Sequence, residues 1–242
     1  MEESNSAYSG IPELADAEQG LLNYYTNIID LVARSFPSNN TSISETSVLE
    51  FGAGTGFLSG LLQEKFNVKA DCLEIDPTLL EILHQKGFNT YSKLTEIDKK
   101  YDLIFTSNVL EHIEMDVEVL SDLGQLLMPT GKLVNYVPAF PILFSDLDIS
   151  VGHFRRYTKK ELRLKLNEAG YKVDKIHYVD SLGFPASLLI RVIGYKSRGN
   201  VGGLRSMRIY DNYVFPLSKI LDQIGFKKLF GKNIVVYASL RG

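Results

Sequence analysis

Val48-Leu49-Glu50-Phe51-Gly52-Ala53-Gly54-Thr55-Gly56-Phe57-Leu58 runs from an apolar stretch through three alternating glycines into a second apolar stretch. Val48–Phe51 has the make-up of a buried strand, and a helix follows from Gly56 to Phe66. About twenty residues after the glycines comes Cys72-Leu73-Glu74-Ile75-Asp76, another apolar strand that ends in acids. Strand, glycine turn, helix and acid-ended strand together make the pattern of a nucleotide site in an α/β fold. Isolated glycines usually only make turns. Gly52, Gly54 and Gly56 sit between a strand and a helix, where a backbone without Cβ can come close to a ligand.

The residue order bears on which ligand that is. Dinucleotide sites use G-x-G-x-x-G, with helix-end amides on a pyrophosphate. Here the order is Glu-x-Gly-x-Gly-x-Gly, and a carboxylate at Glu50 would repel a pyrophosphate. Adenosine joined to a cationic amino-acid tail has no such conflict, and S-adenosylmethionine has that form. A nicotinamide oxidoreductase shares the strand–glycine–helix logic and is one alternative. A non-catalytic binding subunit that has kept the fold is another.

Outward from this unit, strands and helices alternate. Strands are expected at Lys69–Ile75, Thr90–Ser92, Leu103–Ser107, Lys132–Val137, Lys172–Val179 and Asn233–Leu240. Helices are expected at Pro77–Lys86, about 118–127 and Lys159–Ala169, the last capped by Thr158 and stopped by Gly170. The alternation implies a mostly parallel sheet covered on both faces. Residues 1–10 read as a polar tail and 12–36 as one or two helices. The chain thus divides into an N-terminal part (1–47), a core (48–180), a helical insertion (181–231) and a last strand (232–242).

Composition excludes several classes. The 242 residues suit one α/β domain with an appended element, and 45% hydrophobic residues are enough for a packed interior. A net charge of −3 argues against a dedicated nucleic-acid binder. The single cysteine, Cys72, lies in an expected core strand, so there is no disulfide framework and a reducing, cytoplasmic setting is expected. No signal peptide is evident, and no apolar run reaches the roughly twenty residues of a membrane span. Four scattered histidines and one cysteine suggest no metal set, and His84 and His177 read as ordinary helix and strand residues.

Four stretches in order carry a resemblance: Glu50–Gly56; Leu73-Glu74-Ile75-Asp76-Pro77; Tyr101–Phe105 with Val109-Leu110-Glu111-His112; and Leu127–Leu133. From about Thr46 to Asp180 the chain resembles the class I S-adenosylmethionine-dependent methyltransferases. That resemblance implies a Rossmann-like sheet with one antiparallel strand, and S-adenosylmethionine as cofactor. It assigns the donor to Glu50, Phe51, Gly52, Ala53, Gly54, Gly56, Glu74, Ile75, Leu94, Ser107 and Asn108. Glu50 would help hold the ammonium end, and Glu74 would take the ribose hydroxyls with Ile75 packed on the adenine. Asp76 rivals Glu74 by strand parity, but Asp76-Pro77 also suits a helix cap. The Asp that many relatives place after the third strand is replaced by Ser92-Lys93-Leu94.

Glu111-His112 and His153-Phe154-Arg155-Arg156-Tyr157 are the candidates for chemistry on the acceptor. The His-x-Arg-Arg-Tyr run resembles a bacterial subgroup linked to sugars, lipids or surface glycans. His153, His112 and Tyr157 are candidate catalytic groups, since a hydroxyl acceptor would gain from a base. His112 serves equally well as a structural or cofactor-positioning residue. Arg155 and Arg156 could grip a phosphate or carboxylate, or could pair with Asp146 or Asp148 and pin the loop. The expected activity is methyl transfer to O or N of a small, glycan or lipid-linked acceptor, by a monomer or homodimer. The insertion suits a substrate lid or a stabilising or dimerising element. Its apolar run, followed by Arg191, Lys196, Arg198, Arg205 and Arg208, could also rest on an anionic membrane surface.

Overall fold

The computed structural model describes residues 11–36, 43–193 and 203–241. The expected N-terminal tail (1–10), much of the linker before the first strand, and Lys196 and Arg198 lie outside these residues. Seven strands form one sheet in the order β3-β2-β1-β4-β5-β7-β6. They are β1 (Val48–Phe51), β2 (Asp71–Leu73), β3 (Thr90–Tyr91), β4 (Tyr101–Ser107), β5 (Leu127–Pro138), β6 (Tyr171–Val179) and β7 (Asn233–Leu240). β7 runs antiparallel between β5 and β6, and the pairings among β1 to β5 are parallel. The helices are α1 (Ile11–Gly20), α2 (Leu22–Ala33), α3 (Phe57–Phe66), α4 (Pro77–Gln85), α5 (Asp116–Gln125), α6 (Asp146–Ser150), α7 (Lys159–Glu168), α8 (Gly183–Ile193), α9 (Leu204–Ile209) and α10 (Phe215–Gln223).

Each sheet face has its own core. On one face Leu49, Ile104, Leu133 and Val236 pack with Leu120 and Leu123 of α5 and Leu162 and Leu166 of α7. On the other, Val48, Leu103, Phe105 and Val235 pack with Ile28 and Ile29 of α2, Leu58 and Leu62 of α3, and Phe215 of α10. Alternate residues of each strand therefore serve opposite cores, as burial on both faces demands. Asp76 accepts from the amides of Thr78 and Leu79 with Pro77 in the first turn, so it caps α4.

Element boundaries differ from expectation most at β5. The strand begins at Leu127 and carries Pro129 and Gly131 within it, because Leu127 pairs with Tyr101 at the start of β4. α5 is correspondingly shifted toward the N-terminus and ends at Gln125. Residues 183–193 and 204–223 are helical apart from one π turn at Tyr210–Val214. This cap leaves β6 and rejoins β7 at the carboxyl edge of the sheet, on the side where β1 and β4 also end. Asp211 of the cap accepts from the amides of Asn23 and Tyr24 at 2.8 and 2.9 Å and so anchors the first turn of α2.

Candidate active site

At the carboxyl edge four strands are followed by a residue of positive φ. Gly52 after β1 has φ +75°, and Asn108 after β4, Phe140 after β5 and Asp180 after β6 have φ between 53° and 64°. Left-handed backbone at three non-glycine residues costs free energy, and such positions gather where a scaffold re-aims its chain toward a ligand. The crevice between β1 and β4 is the switch point where strand order reverses, the usual ligand position in open α/β sheets.

The glycine loop fills that crevice. A Cβ on Gly52 would come within 2.4 Å of a Val109 methyl, and one on Gly56 within 2.6 Å of Leu83. Gly52 and Gly56 are therefore required by packing as well as by φ. Gly54 is the open one: its nearest neighbour would be Leu14 of α1 at 3.4 Å. α1 lies over the loop, and Glu18 accepts a hydrogen bond from the Thr55 hydroxyl. Lys86 donates to the Thr55 carbonyl from the other side at 2.7 Å.

Two carboxylates flank this loop. Glu74 accepts from the Gly54 amide at 2.8 Å through Oε2, and from the amides of Ile75 and Asp76 through Oε1. It thereby buttresses the loop. Asp76 caps α4 through the amides of Thr78 and Leu79. Glu50 is buried and accepts from the amide and hydroxyl of Ser59 in the first turn of α3. Burial pushes its carboxyl up to about 8, against the Ser59 hydrogen bonds, and the charges of Glu74 and Glu18 add to the rise. Among the described residues no lysine, arginine or histidine forms an ion pair with Glu50, Glu74 or Glu18. A group of carboxyls without a paired cation, one of them raised by burial, fits a positively charged ligand that would favour its ionised form.

The other expected donor residues sit around this centre. Phe51 and Ala53 are buried at the loop's base, and Ile75 is 79% exposed at its rim. Leu94 packs partly into the core beside Tyr91. Ser107 and Asn108 end β4, where the Asn108 amide nitrogen donates to the Ser107 hydroxyl at 3.3 Å. Cys72 is fully buried and burial holds its thiol protonated, so it is a core residue.

The His-x-Arg-Arg-Tyr run is built differently from expectation. Tyr157 is fully buried; its hydroxyl lies 2.8 Å from the Asp116 carboxylate and 3.1 Å from the Leu110 carbonyl. It is a strut, with no route to an acceptor. Arg156 is also buried and grips Asp148 bidentately, at 2.7 and 3.0 Å. Arg155 spans Asp116 and the Glu114 carbonyl, both at 3.0 Å, and Lys165 completes the Asp116 cluster at 2.7 Å. The two guanidiniums pin this loop against its neighbours, and both also border a surface recess lined by Pro141, Phe144, Phe154 and Glu161. The aspartates that receive them stand at Asp116 and Asp148, of which only the second was foreseeable.

What the pinning achieves is the placement of His153. Its Nδ1 lies 2.8 Å from Asp148 Oδ1. Burial alone would raise the Asp148 carboxyl, but hydrogen bonds from His153 and Arg156 outweigh it and hold it at about 2. An ionised Asp148 makes Nδ1 the protonated nitrogen and leaves the Nε2 lone pair of His153 free. That Nε2 lies 3.8 Å from Glu111, and the His112 ring meets the His153 ring edge-on at 4.6 Å. Burial above all depresses the His112 imidazole to about 4, so it is neutral near pH 7. Glu111 is fully buried, and burial pushes its carboxyl up to about 8. Glu111, His112 and His153 thus converge, though the sequence suggested no such set. Val109, against Gly52, ties the Leu110–His112 turn to the glycine loop. His84 and His177 lie elsewhere, beside Thr90 and Tyr237 respectively.

This geometry can be set beside known proteins. Residues 22–176 match the family model described as a methyltransferase domain. The chain belongs to that family. It is a class I S-adenosylmethionine-dependent methyltransferase, which sets aside the nicotinamide alternative. One relative is malonyl-[acyl-carrier protein] O-methyltransferase 1 of Ilyobacter polytropus, 24% identical over 80% of this chain and 77% of the relative. Another is a ubiquinone biosynthesis O-methyltransferase of Rickettsia bellii, 30% identical over 48% of this chain. This methyltransferase spans about half the length of that second relative, 52%. A chain in the solved complex of the Haloferax volcanii Trm112 methyltransferase activator with a methyltransferase aligns over 100% of both chains. Its TM-score is 0.64 at 10% identity, a likeness of fold.

Proposed function

We propose that this methyltransferase moves the methyl group of S-adenosylmethionine to an oxygen of a lipid-linked acceptor, at the carboxyl edge between β1 and β4. The observation that carries the donor half is the pair Glu50 and Glu74 flanking a glycine loop, neither of them in an ion pair with a protein cation among the described residues. Glu74 meets the ribose, Glu50 the ammonium end, and the Gly54 opening admits the chain between them. The donor brings an electrophilic methyl on a sulfonium, so the protein need only align, dehydrate and manage a proton. Alignment of this kind is worth on the order of 7–11 kcal/mol. The C–O bond forms as the C–S bond breaks, its electron pair stays on sulfur, and the acceptor's hydroxyl proton passes to water. The Glu111–His112–His153 cluster, one turn from Val109, is where this chain handles that oxygen. Both curated relatives named above are O-methyltransferases, which supports oxygen over nitrogen.

The cap supports the lipid-linked part. Leu189, Val192, Tyr213, Leu217, Ile220, Ile224 and Leu229 are all more than half exposed. The acids of 183–229 are Asp211 and Asp222, both buried in hydrogen bonds, while Arg191, Arg205, Arg208, Lys219, Lys227 and Lys228 remain. Exposed apolar side chains and cations, in a segment whose acids are both buried, are complementary to an anionic bilayer surface. No helix among the described residues is long and apolar enough to cross a membrane.

The test is turnover of S-adenosylmethionine labelled on its methyl, with and without a lipid extract in anionic vesicles. The account expects label in an ether or ester of the lipid fraction. Label entering only water-soluble amines would overturn the oxygen and lipid assignments together.

A further inference from the structure

We infer that Glu111, His112 and His153 form a binding site for one divalent transition-metal ion, which holds and acidifies the acceptor oxygen. The inference deepens the methyl-transfer reading and rests on it for the metal's use, though not for the metal's presence. One ligand atom from each residue lies within 4.8 Å of the other two. Two imidazoles and one carboxylate on a single side of an ion form a common set for divalent iron and zinc, and it leaves positions open for water or substrate. Cis ligands at about 2.1 Å from an ion stand about 3.0–3.4 Å apart, so the set must draw in by roughly 1 Å.

Three further observations point to a ligand here. Both oxygens of Glu111 are completely buried, and among the described residues no other residue gives either a hydrogen bond. A buried carboxylate of this kind is costly unless something cationic completes it. Next, His153 donates Nδ1–H to Asp148 and turns Nε2 toward Glu111. A carboxylate behind a histidine is how metal sites fix the tautomer and direction of a ligand. Asp148 is in turn locked by Arg156 and by the amide and hydroxyl of Ser145. Finally, Arg156 is already paired with Asp148, so among the described residues no protein cation is left in an ion pair with Glu111 except the His153 ring itself, an arrangement that suits a cation and disfavours an anion. On this account the His-x-Arg-Arg-Tyr run is the scaffold of a metal ligand: His153 binds, and Arg156 and Tyr157 hold its loop.

The experiment uses the full chain, stripped with a chelator and titrated with Co²⁺ alone while visible ligand-field absorption is followed. One saturable Co²⁺ per chain is expected, displaced by Zn²⁺. Glu111→Gln and His153→Gln should each weaken it at least ten-fold, while calorimetric affinity for S-adenosylhomocysteine changes less than about three-fold. That second measurement reports folding and the donor site separately, so a failed donor site leaves the metal result readable. Absence of a saturable absorption band, or equal Co²⁺ affinity in both variants and the parent, overturns the proposal.

Discussion

Glu50→Gln should make this protein more stable near pH 8 and poorer at holding its donor. Burial lifts the Glu50 carboxyl from the usual 4.5 to about 8, with Ser59 hydrogen bonds opposing and Glu74 and Glu18 reinforcing. Between those two values the folded chain binds a proton that the unfolded chain releases, so stability falls as pH rises. Near pH 7.5 the loss from this one group is on the order of 4 kcal/mol at most. Glutamine keeps the shape and an oxygen for the Ser59 amide while removing the titration. The stability difference, variant minus parent, should therefore be small near pH 5 and grow by roughly 1–4 kcal/mol toward pH 8. At about 2–4 °C per kcal/mol for a chain of this size, thermal unfolding across that range reads it directly. Taking the difference removes the parallel effect of Glu111, whose carboxyl is also raised to about 8. A difference that stays flat with pH, or a variant less stable than the parent near pH 8, would refute the reasoning. In the parent, donor binding near neutral pH should also release a proton as Glu50 ionises against the ammonium, measurable by calorimetry in buffers of different ionisation heat.

Arg156→Ala leaves Asp148 buried without its bidentate partner and should cost about 3–5 kcal/mol, whereas Arg155→Ala should cost far less, because Asp116 keeps Lys165 and Tyr157; chemical denaturation separates them. Gly52→Ala sets a methyl against Val109 and strains φ; adding Val109→Ala should recover the clash part only, leaving about 1 kcal/mol. Leu189→Asp with Val192→Asp should reduce flotation with anionic vesicles several-fold without moving the melting temperature, because both side chains are more than half exposed; unchanged flotation would remove the membrane reading, and capture of an acidic carrier protein in its place would replace it.

The parts of the fold that were legible are those governed by local chemistry. The β1–glycine–α3 unit, the Asp76-Pro77 cap of α4, the Thr158 cap of α7 and the bounds of β7 all follow from short-range pattern. What escaped were features set by distant partners. β5 begins at Leu127, through a proline and a glycine, because Tyr101 pairs with it. The left-handed Asn108, Phe140 and Asp180 carry no glycine to announce them. Asp211 caps a helix 187 residues away in sequence, and Tyr157 spends its hydroxyl on Asp116, 41 residues away. The charged run at 153–157 showed that something important was built there. Which of its groups face outward depended on carboxylates that sequence spacing could not place.

The most direct measurement is calorimetric titration of the purified chain with S-adenosylmethionine and its demethylated product, beside Glu74→Ala as control. The account predicts one site per chain, with affinity falling at least ten-fold in the variant. No heat from the parent, or the same affinity in both proteins, would contradict it.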